Sequence, residues 1–140
     1  MKKIALWQVA FLTAVSLAAC QSAPPTMTQL PAKIANGAVY DPSGKTLYTF
    51  AKDVAFSGKS ECNGPCANVW PPFSAEEKAS PSASSPGGAS PAGNWTIITR
   101  EGGTRQWAYK GKPLYTYAKD AKPGDRSGDN INGLWSWAKE

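Results

Sequence analysis

Residues 44–53 read GKTLYTFAKD, and residues 111–120 repeat this stretch almost unchanged as GKPLYTYAKD. The two stretches align without a gap and are identical at eight of ten positions. Each is followed by a loop containing glycine and serine and then by a tryptophan, Trp70 or Trp135. Self-similarity at this level indicates repeated structural units. We therefore expect a domain made of two related halves.

The local pattern around both stretches favours β-structure. Short runs rich in aromatic and β-branched residues alternate with turns that contain Gly, Pro, Asn or Asp. The first two runs form a predicted hairpin, because residues 41–44 read DPSG and suit a type I turn. The predicted strands are residues 38–40, 47–50, 95–99, 106–109 and 114–117. The predicted fold class is all-β: a small antiparallel sheet domain built from two related hairpin-based repeats, with a disordered insertion between them.

The N-terminus has the organisation of an export signal. Two lysines precede an apolar run at residues 4–15, and this run is too short to span a bilayer. It leads into LAAC at residues 17–20, which resembles the lipobox of bacterial lipoproteins. That resemblance implies a signal peptide at residues 1–19, lipidation of Cys20 and cleavage just before it. The alternative is an ordinary secreted protein that keeps Cys20 as a free thiol.

The remaining chain is divided by composition. Residues 20–33 are polar and Pro-rich and read as a lipidated tether in front of a β-repeat domain at residues 34–140. Repeat one spans about residues 34–74 and repeat two about residues 94–140. A low-complexity insertion at about residues 75–93 separates them. Within it, residues 79–93 contain only Ala, Ser, Pro and Gly, and such a segment is predicted to be disordered.

Composition excludes several function classes. The chain has no histidine, which removes Ser-His-Asp and Cys-His catalysis and histidine-ligated metal or haem. The net charge of +5 falls by two when the lysines of the signal peptide are removed, and the remaining basic residues are scattered. Nucleic-acid binding usually needs a clustered basic face. We expect no nucleic-acid partner, no metal and no cofactor.

The two halves resemble a group of bacterial secreted lipoproteins described as secreted repeats of unknown function. Their Tyr-x-aromatic-x-x-Asp motif is matched by residues 48–53 and 115–120. In this family the first copy continues into Cys-x-Gly-x-Cys-Ala and Trp-Pro-Pro, matched at residues 62–67 and 70–72. The second continues into Pro-Gly-Asp, Gly and a late Trp, matched from Pro123 onward. The resemblance implies a fold and an exported location, and it brings no established activity.

Cys62 and Cys66 are the first residues that could carry chemistry. Exported compartments are oxidising, so two neighbouring cysteines usually form a structural disulfide, here with Cys20 acylated and out of the count. A redox-active pair is the sharper alternative, because short disulfide loops can be strained and reducible. A metal site is a third reading, and no further Cys or His completes it.

The repeat motif offers aromatic residues whose role the sequence leaves open. Tyr48 with Phe50, and Tyr115 with Tyr117, are spaced to share one face of a strand. Core packing between the repeats is one interpretation, and an aromatic groove for a sugar, peptide or quinone is the other. The same choice applies to the two tryptophans named as possible ligand-stacking platforms, Trp70 and Trp135. The alternatives differ in one observable, the burial of these side chains.

The carboxylates also allow two readings. Asp53 and Asp120 end the motif, where they could hold the following loop through backbone N–H groups or act together as acid and base. The loop from Asp120 to Asn132 is rich in oxygen ligands, yet Asn130 stands where an EF-hand requires glycine. It reads as an Asx-rich loop or as an irregular calcium site.

The functional expectation is a lipid-anchored cell-envelope lipoprotein that binds or supports other molecules without catalysis. Its partners would be the membrane, through Cys20, and an unidentified envelope protein or small molecule. Gln21 after the lipidated position makes the outer membrane the expected address in a Gram-negative cell. The alternative is a thiol/disulfide redox or electron-transfer accessory protein that uses Cys62 and Cys66. An enzyme using Asp53 and Asp120 is the third hypothesis.

Overall fold

A computed structural model describes residues 30–75 and 93–140. The signal peptide, Cys20 and most of both the tether and the insertion lie outside these residues. The elements are β1 Lys33–Ala35, β2 Ala38–Tyr40, β3 Tyr48–Phe50, α1 Pro65–Val69, β4 Trp95–Thr99, β5 Arg105–Tyr109, β6 Lys112–Pro113, a 3₁₀ turn Ile131–Gly133 and β7 Trp135–Trp137. All strand pairs are antiparallel, which confirms the predicted all-β class and its two related halves.

The first hairpin begins before the predicted domain boundary. β1 pairs with β2 through Asn36 and Gly37, which both have positive φ and form the turn that suits a two-residue hairpin. Ala32 is buried in the core, and Lys33 belongs to β1. The last two residues assigned to the tether therefore belong to the folded domain, because the Asn36-Gly37 turn pairs β2 with a strand that precedes it.

The predicted hairpin between residues 38–40 and 47–50 forms next to its turn, where Leu47 N donates to Val39 O at 3.0 Å, and beyond that bond a strand from the other repeat enters between its arms. β3 pairs along its length with β7 at the end of repeat two. Ala138 follows β7 and lies between the two arms of the hairpin. Its N–H donates to Leu47 O at 2.7 Å, and its carbonyl accepts from Val39 N at 3.0 Å. The final strand of repeat two thus completes the sheet of repeat one.

Repeat two receives the reciprocal strand. Phe73, near the end of repeat one, donates its N–H to Leu114 O at 2.8 Å and accepts from Trp107 N at 2.9 Å. These bonds correspond one for one to those of Ala138. Isolated bridges join Pro72 to Tyr115 and Ser74 to Gln106, so the extended segment after Trp70 completes the other sheet. The two repeats are therefore intertwined.

The predicted strand at residues 114–117 is not regular, which is a second correction. Tyr115 forms isolated bridges to Tyr48 and to Pro72, and the regular strand β6 ends at Pro113. The physical reason is that the incoming segment contains Pro71 and Pro72, which have no N–H to donate to a ladder. The corresponding segment of repeat two has N–H groups there, and it forms the regular pair β3–β7.

Two buried clusters result from the alternation of side chains along these strands. One cluster contains Leu47 and Leu114 and the other contains Tyr48 and Tyr115, as the period-two pattern predicts. The repeats meet where Tyr48 N donates to Tyr115 O at 2.8 Å and Tyr115 N donates to Tyr48 O at 3.0 Å. This reciprocal pair lies at the centre of the second cluster.

The exchange of final strands predicts that neither repeat folds alone. A protease site inserted within residues 76–92 would allow the chain to be cut between the repeats. We expect the two pieces to stay associated after cutting, to lose β-structure when separated in denaturant, and to regain it only when mixed. Circular dichroism and size-exclusion chromatography measure this, with the uncut chain as control. A separated piece that unfolds cooperatively on its own would contradict the intertwined fold.

Candidate functional site

The motif residues form two hydrogen bonds that are exchanged between the repeats. The Tyr48 hydroxyl donates to Asp120 Oδ2 at 2.7 Å, and the Tyr115 hydroxyl donates to Asp53 Oδ2 at 2.6 Å. Each tyrosine therefore bonds the aspartate of the other repeat. Asp53 is 1% exposed and Asp120 is 3% exposed. The motif joins the two halves through buried, charge-assisted hydrogen bonds.

The second oxygen of each carboxylate holds the next loop. Asp53 Oδ1 accepts from Glu61 N at 2.7 Å, and Asp120 Oδ1 accepts from Ser127 N at 3.0 Å. This is the arrangement that the loop-fixing interpretation predicts. Because each carboxylate is buried and both of its oxygens accept a hydrogen bond, neither carboxylate has an oxygen without a protein partner.

Burial sets the electrostatics of these pairs. Desolvation raises the pKa of both the Tyr48 and Tyr115 phenols well above the ordinary value, and the hydrogen bond to a carboxylate raises it further. Desolvation also raises the pKa of Asp53, while the bonds from Glu61 N and the Tyr115 hydroxyl and the charge of Lys112 oppose that rise. Both phenols therefore stay protonated and donate their hydrogen bonds to the carboxylates.

The aromatic residues form a continuous stack between the repeats. Trp70 and Trp135 lie face to face with their ring centroids 3.7 Å apart and their planes 4° from parallel. Phe50 stacks on the outer face of Trp135 and Tyr117 on that of Trp70, each with centroids 4.4 Å apart. Here too, each motif aromatic stacks on the tryptophan of the other repeat.

The aromatic-groove hypothesis is wrong for these side chains. Tyr48, Tyr115, Trp70 and Trp135 are all buried, so none of them offers a face to a ligand. The interpretation of Trp70 and Trp135 as ligand-stacking platforms is corrected accordingly. The physical reason is that the Trp70 and Trp135 rings stack on each other and on the motif aromatics, so that no ring face is left for a ligand.

Gly128 permits this packing at one point. A Cβ added there would lie 2.8 Å from the Trp70 ring and 2.9 Å from the Tyr48 ring. Its N–H also donates to the Tyr48 hydroxyl at 3.3 Å. The glycine after Pro-Gly-Asp is therefore required by close approach of the backbone to two rings.

Cys62 and Cys66 are bonded to each other, with their Cα atoms 5.2 Å apart. The loop they close contains the start of α1 and packs on repeat two through Arg100, a buried residue that sequence reasoning missed. The Arg100 guanidinium donates to the Cys62 carbonyl and to Asn63 Oδ1. Its only sequence signal is a charged residue directly after an apolar strand, which is too common to identify a buried arginine.

The oxygen-rich loop of repeat two uses its carboxylates on main-chain groups. Asp125 Oδ2 accepts from Ala121 N at 3.0 Å and from Lys122 N at 2.8 Å. Asp129 Oδ1 accepts from Trp137 N at 3.4 Å. Residues 30–75 and 93–140 bring together no group of three acidic or sulfur ligands that could hold a metal. The arrangement is that of an Asx-rich loop.

A shallow cleft of about 280 Å³ lies on the surface between the two sheets. Its cationic walls are Lys110, Lys112 and Lys139, and Trp137 forms part of its floor. Arg126 stacks over the Trp137 ring, with its guanidinium carbon 4.4 Å from the ring centroid. The remaining lining residues are Thr49, Tyr109, Ser136 and Ala138. This cleft combines positive charge with a half-buried aromatic side chain.

Comparison with known proteins gives one match. A family model described as a secreted repeat of unknown function matches residues 33–74 and residues 96–139. Together the two ranges cover more than half of the chain. No match was found among curated proteins or among solved structures. In the part of the chain that the structure describes, none of the helices has the length and apolar character needed to cross a bilayer.

Removing either exchanged hydroxyl should destabilise the whole domain. Tyr48→Phe and Tyr115→Phe each leave a buried carboxylate without its donor, which costs about 1–3 kcal/mol of unfolding free energy. Tyr40→Phe is the matched control, because its hydroxyl accepts from the exposed Arg126 side chain. Urea unfolding measures the three variants. Equal stability of all three would contradict the structural role of the exchanged bonds.

The raised pKa values of Tyr48 and Tyr115 predict a delayed ionisation. Their folded-state pKa lies above the unfolded value of about 10, so the stability they contribute is complete below that pH and is lost as the pH rises above it. In the folded protein, two of the five tyrosines should ionise only when the chain unfolds. Tyrosinate absorbance measured against pH, with the urea-unfolded chain as reference, tests this. Ionisation of all five near pH 10 in a folded protein would refute it.

Proposed function

The chain belongs to this secreted repeat family, and we propose that its mature form is a lipid-anchored module of the bacterial cell envelope that acts without catalysis. Membership of a secreted repeat family implies an extracellular or envelope location. The proposal that the domain is anchored to a membrane rests on Cys20, which would carry the lipid after removal of residues 1–19. In a Gram-negative cell, Gln21 favours the outer membrane, with the domain facing the periplasm.

One observation carries the non-catalytic part of the proposal. The carboxylates of Asp53 and Asp120, which the sequence offers as acid and base, are buried and bonded to the tyrosine hydroxyls of the opposite repeat. A general acid or base must reach a substrate directly or through one water. Residues that join the halves of the fold in this way support a binding or structural module, whose partners would contact its surface.

The redox alternative has less support. Cys62 and Cys66 are bonded in the structure; Cys62 is fully buried and Cys66 is partly buried. A disulfide that exchanges with another protein needs a sulfur that an attacking thiolate can reach. The buried Arg100 bonds also hold the Cys62 loop against repeat two, which suits a structural disulfide.

Lipidation of Cys20 predicts a specific change in the mature protein. In the native chain we expect cleavage before Cys20 and a mass increase corresponding to two or three acyl chains, which suffice for stable anchoring. Cys20→Ser should abolish both changes and leave the precursor uncleaved. Mass spectrometry of the membrane fraction measures this, and Cys62→Ser with Cys66→Ser is the control that keeps the acylated cysteine. A native chain cleaved before residue 20 without added mass would contradict the anchor.

A further inference from the structure

Two exposed apolar residues occupy the loop that follows Asp53. Val54 is 68% exposed and Phe56 is 79% exposed. These are the largest exposed fractions among the large apolar residues of the described ranges. Phe56 also has a φ of 63°, in the left-handed region that a bulky side chain rarely adopts. An exposed aromatic residue in a strained backbone is unfavourable for the fold by itself, and such positions often serve a function.

Repeat two shows what this loop requires for folding. Phe56 N donates to Gly111 O at 2.9 Å, and at the corresponding place Gly124 N donates to Gly44 O at 2.9 Å. Gly124 has a φ of 83°, so the residue equivalent to Phe56 is a glycine in the same left-handed conformation. The backbone path therefore does not need an aromatic side chain. Repeat one retains Phe56 at a position where glycine suits the conformation better.

A second position of this loop also carries an apolar residue in repeat one and a different residue type in repeat two. Ser57 N donates to Val54 O, and the corresponding bond in repeat two runs from Asp125 N to Lys122 O. The residue equivalent to Val54 is thus a lysine. Repeat one has two exposed apolar residues where repeat two has a lysine and a glycine, and we call this pair the Val54–Phe56 patch.

Lysines flank the Val54–Phe56 patch in the sequence and in the neighbouring strand connection of repeat two. Lys52 and Lys59 are exposed in the same loop, and Glu61 is the one acidic side chain of that loop that reaches solvent. The Phe56–Gly111 bond places Lys110 beside the patch, and Lys112 Nζ donates to Asp53 O at 2.7 Å. Lys110 and Lys112 also line the basic cleft, so the patch continues into a wider cationic surface.

We propose that the Val54–Phe56 patch docks the domain on an anionic membrane surface, with the two apolar side chains inserted at the headgroup level and the lysines bound to lipid phosphates. Apolar residues flanked by lysines are typical of interfacial binding. Two side chains are too small an area for a stable protein–protein interface, which buries about 800 Å² on each partner. The surface is therefore suited to a bilayer.

The proposed anchor would bring this surface to the bilayer, and in that respect the inference rests on the proposed function. Ten residue-to-residue steps lead from Cys20 to Leu30, where the described structure begins. At no more than about 3.6 Å for each residue, they reach about 36 Å. This is comparable with the diameter of a domain of about 100 residues, whose radius of gyration is about 13 Å. Any face of the domain can therefore turn toward the membrane.

The test uses the mature chain, residues 20–140, with Cys20→Ser, so that binding is independent of the lipid. We expect it to sediment with vesicles of phosphatidylcholine and phosphatidylglycerol at least tenfold more strongly than with pure phosphatidylcholine. Phe56→Gly combined with Val54→Ser should reduce binding to the anionic vesicles at least tenfold. Because repeat two has glycine at the equivalent of Phe56, this variant should fold, and its thermal midpoint verifies that.

Matched controls separate the patch from charge and exposed apolar area in general. Lys52→Glu should weaken binding at least fivefold, whereas Lys119→Glu, at the equivalent position of repeat two, makes the same charge change away from the patch and should have less than a twofold effect. Val69→Ser removes another exposed apolar side chain and should leave binding unchanged.

Three results would overturn the docking surface: no binding to anionic vesicles, equal effects of Lys52→Glu and Lys119→Glu, or binding unchanged by the Val54 and Phe56 substitutions. None of them bears on Cys20, whose lipidation is measured separately by the mass of the native chain.

Discussion

The structure depends on one exchanged interaction, the buried hydrogen bond from a tyrosine of one repeat to the aspartate of the other. Breaking the Tyr48–Asp120 bond or the Tyr115–Asp53 bond leaves a buried carboxylate with an unfilled acceptor, and the cost of that desolvated group is much larger than the net gain from an ordinary surface hydrogen bond. Because the same carboxylates also hold the loops after each motif, the bonds couple the interface between repeats to the conformation of both loops. The motif therefore joins the two repeats to each other.

The exchange extends from the hydrogen bonds to the strands and rings. Each repeat gives its last strand to the other sheet, and each motif aromatic stacks on the tryptophan of the other repeat. This is the geometry of a symmetric dimer contained in a single chain, in which the contact surface is the same patch used twice. Because the two halves share this arrangement, a feature that occurs in only one of them is informative. The Cys62–Cys66 disulfide loop, and the Val54–Phe56 patch in place of lysine and glycine, occur in repeat one only.

Much of the fold class could be predicted from local pattern, since turn residues and the alternation of Leu47 with Tyr48 and Phe50 need no knowledge of distant partners. Two predictions about pairing were incomplete for the same reason. Residues 38–40 and 47–50 pair directly only next to their turn, where Leu47 N donates to Val39 O, and Ala138 lies between the two arms beyond that bond. Nothing in the local sequence shows that a segment about 90 residues away will enter a hairpin. The irregular strand at residues 114–117 depends on Pro71 and Pro72, which belong to the other repeat. Arg100 was missed because three of its partners, Ser60, Cys62 and Asn63, lie on a loop of the other repeat.

By itself, the sequence determined the duplication, the β-class, the membership of a secreted repeat family and a close pair of cysteines, because each of these can be read from residue identities and short spacings. Only the tertiary structure decided that the motif residues face the other repeat, that Trp70 and Trp135 cover each other, and that Asp53 and Asp120 are not available to a substrate. The physical reason is that burial and partner choice depend on which surfaces meet. Because the motif is nearly identical in the two repeats, the sequence is equally compatible with a tyrosine bonding the aspartate of its own copy or of the other. The exchange of strands selects the second.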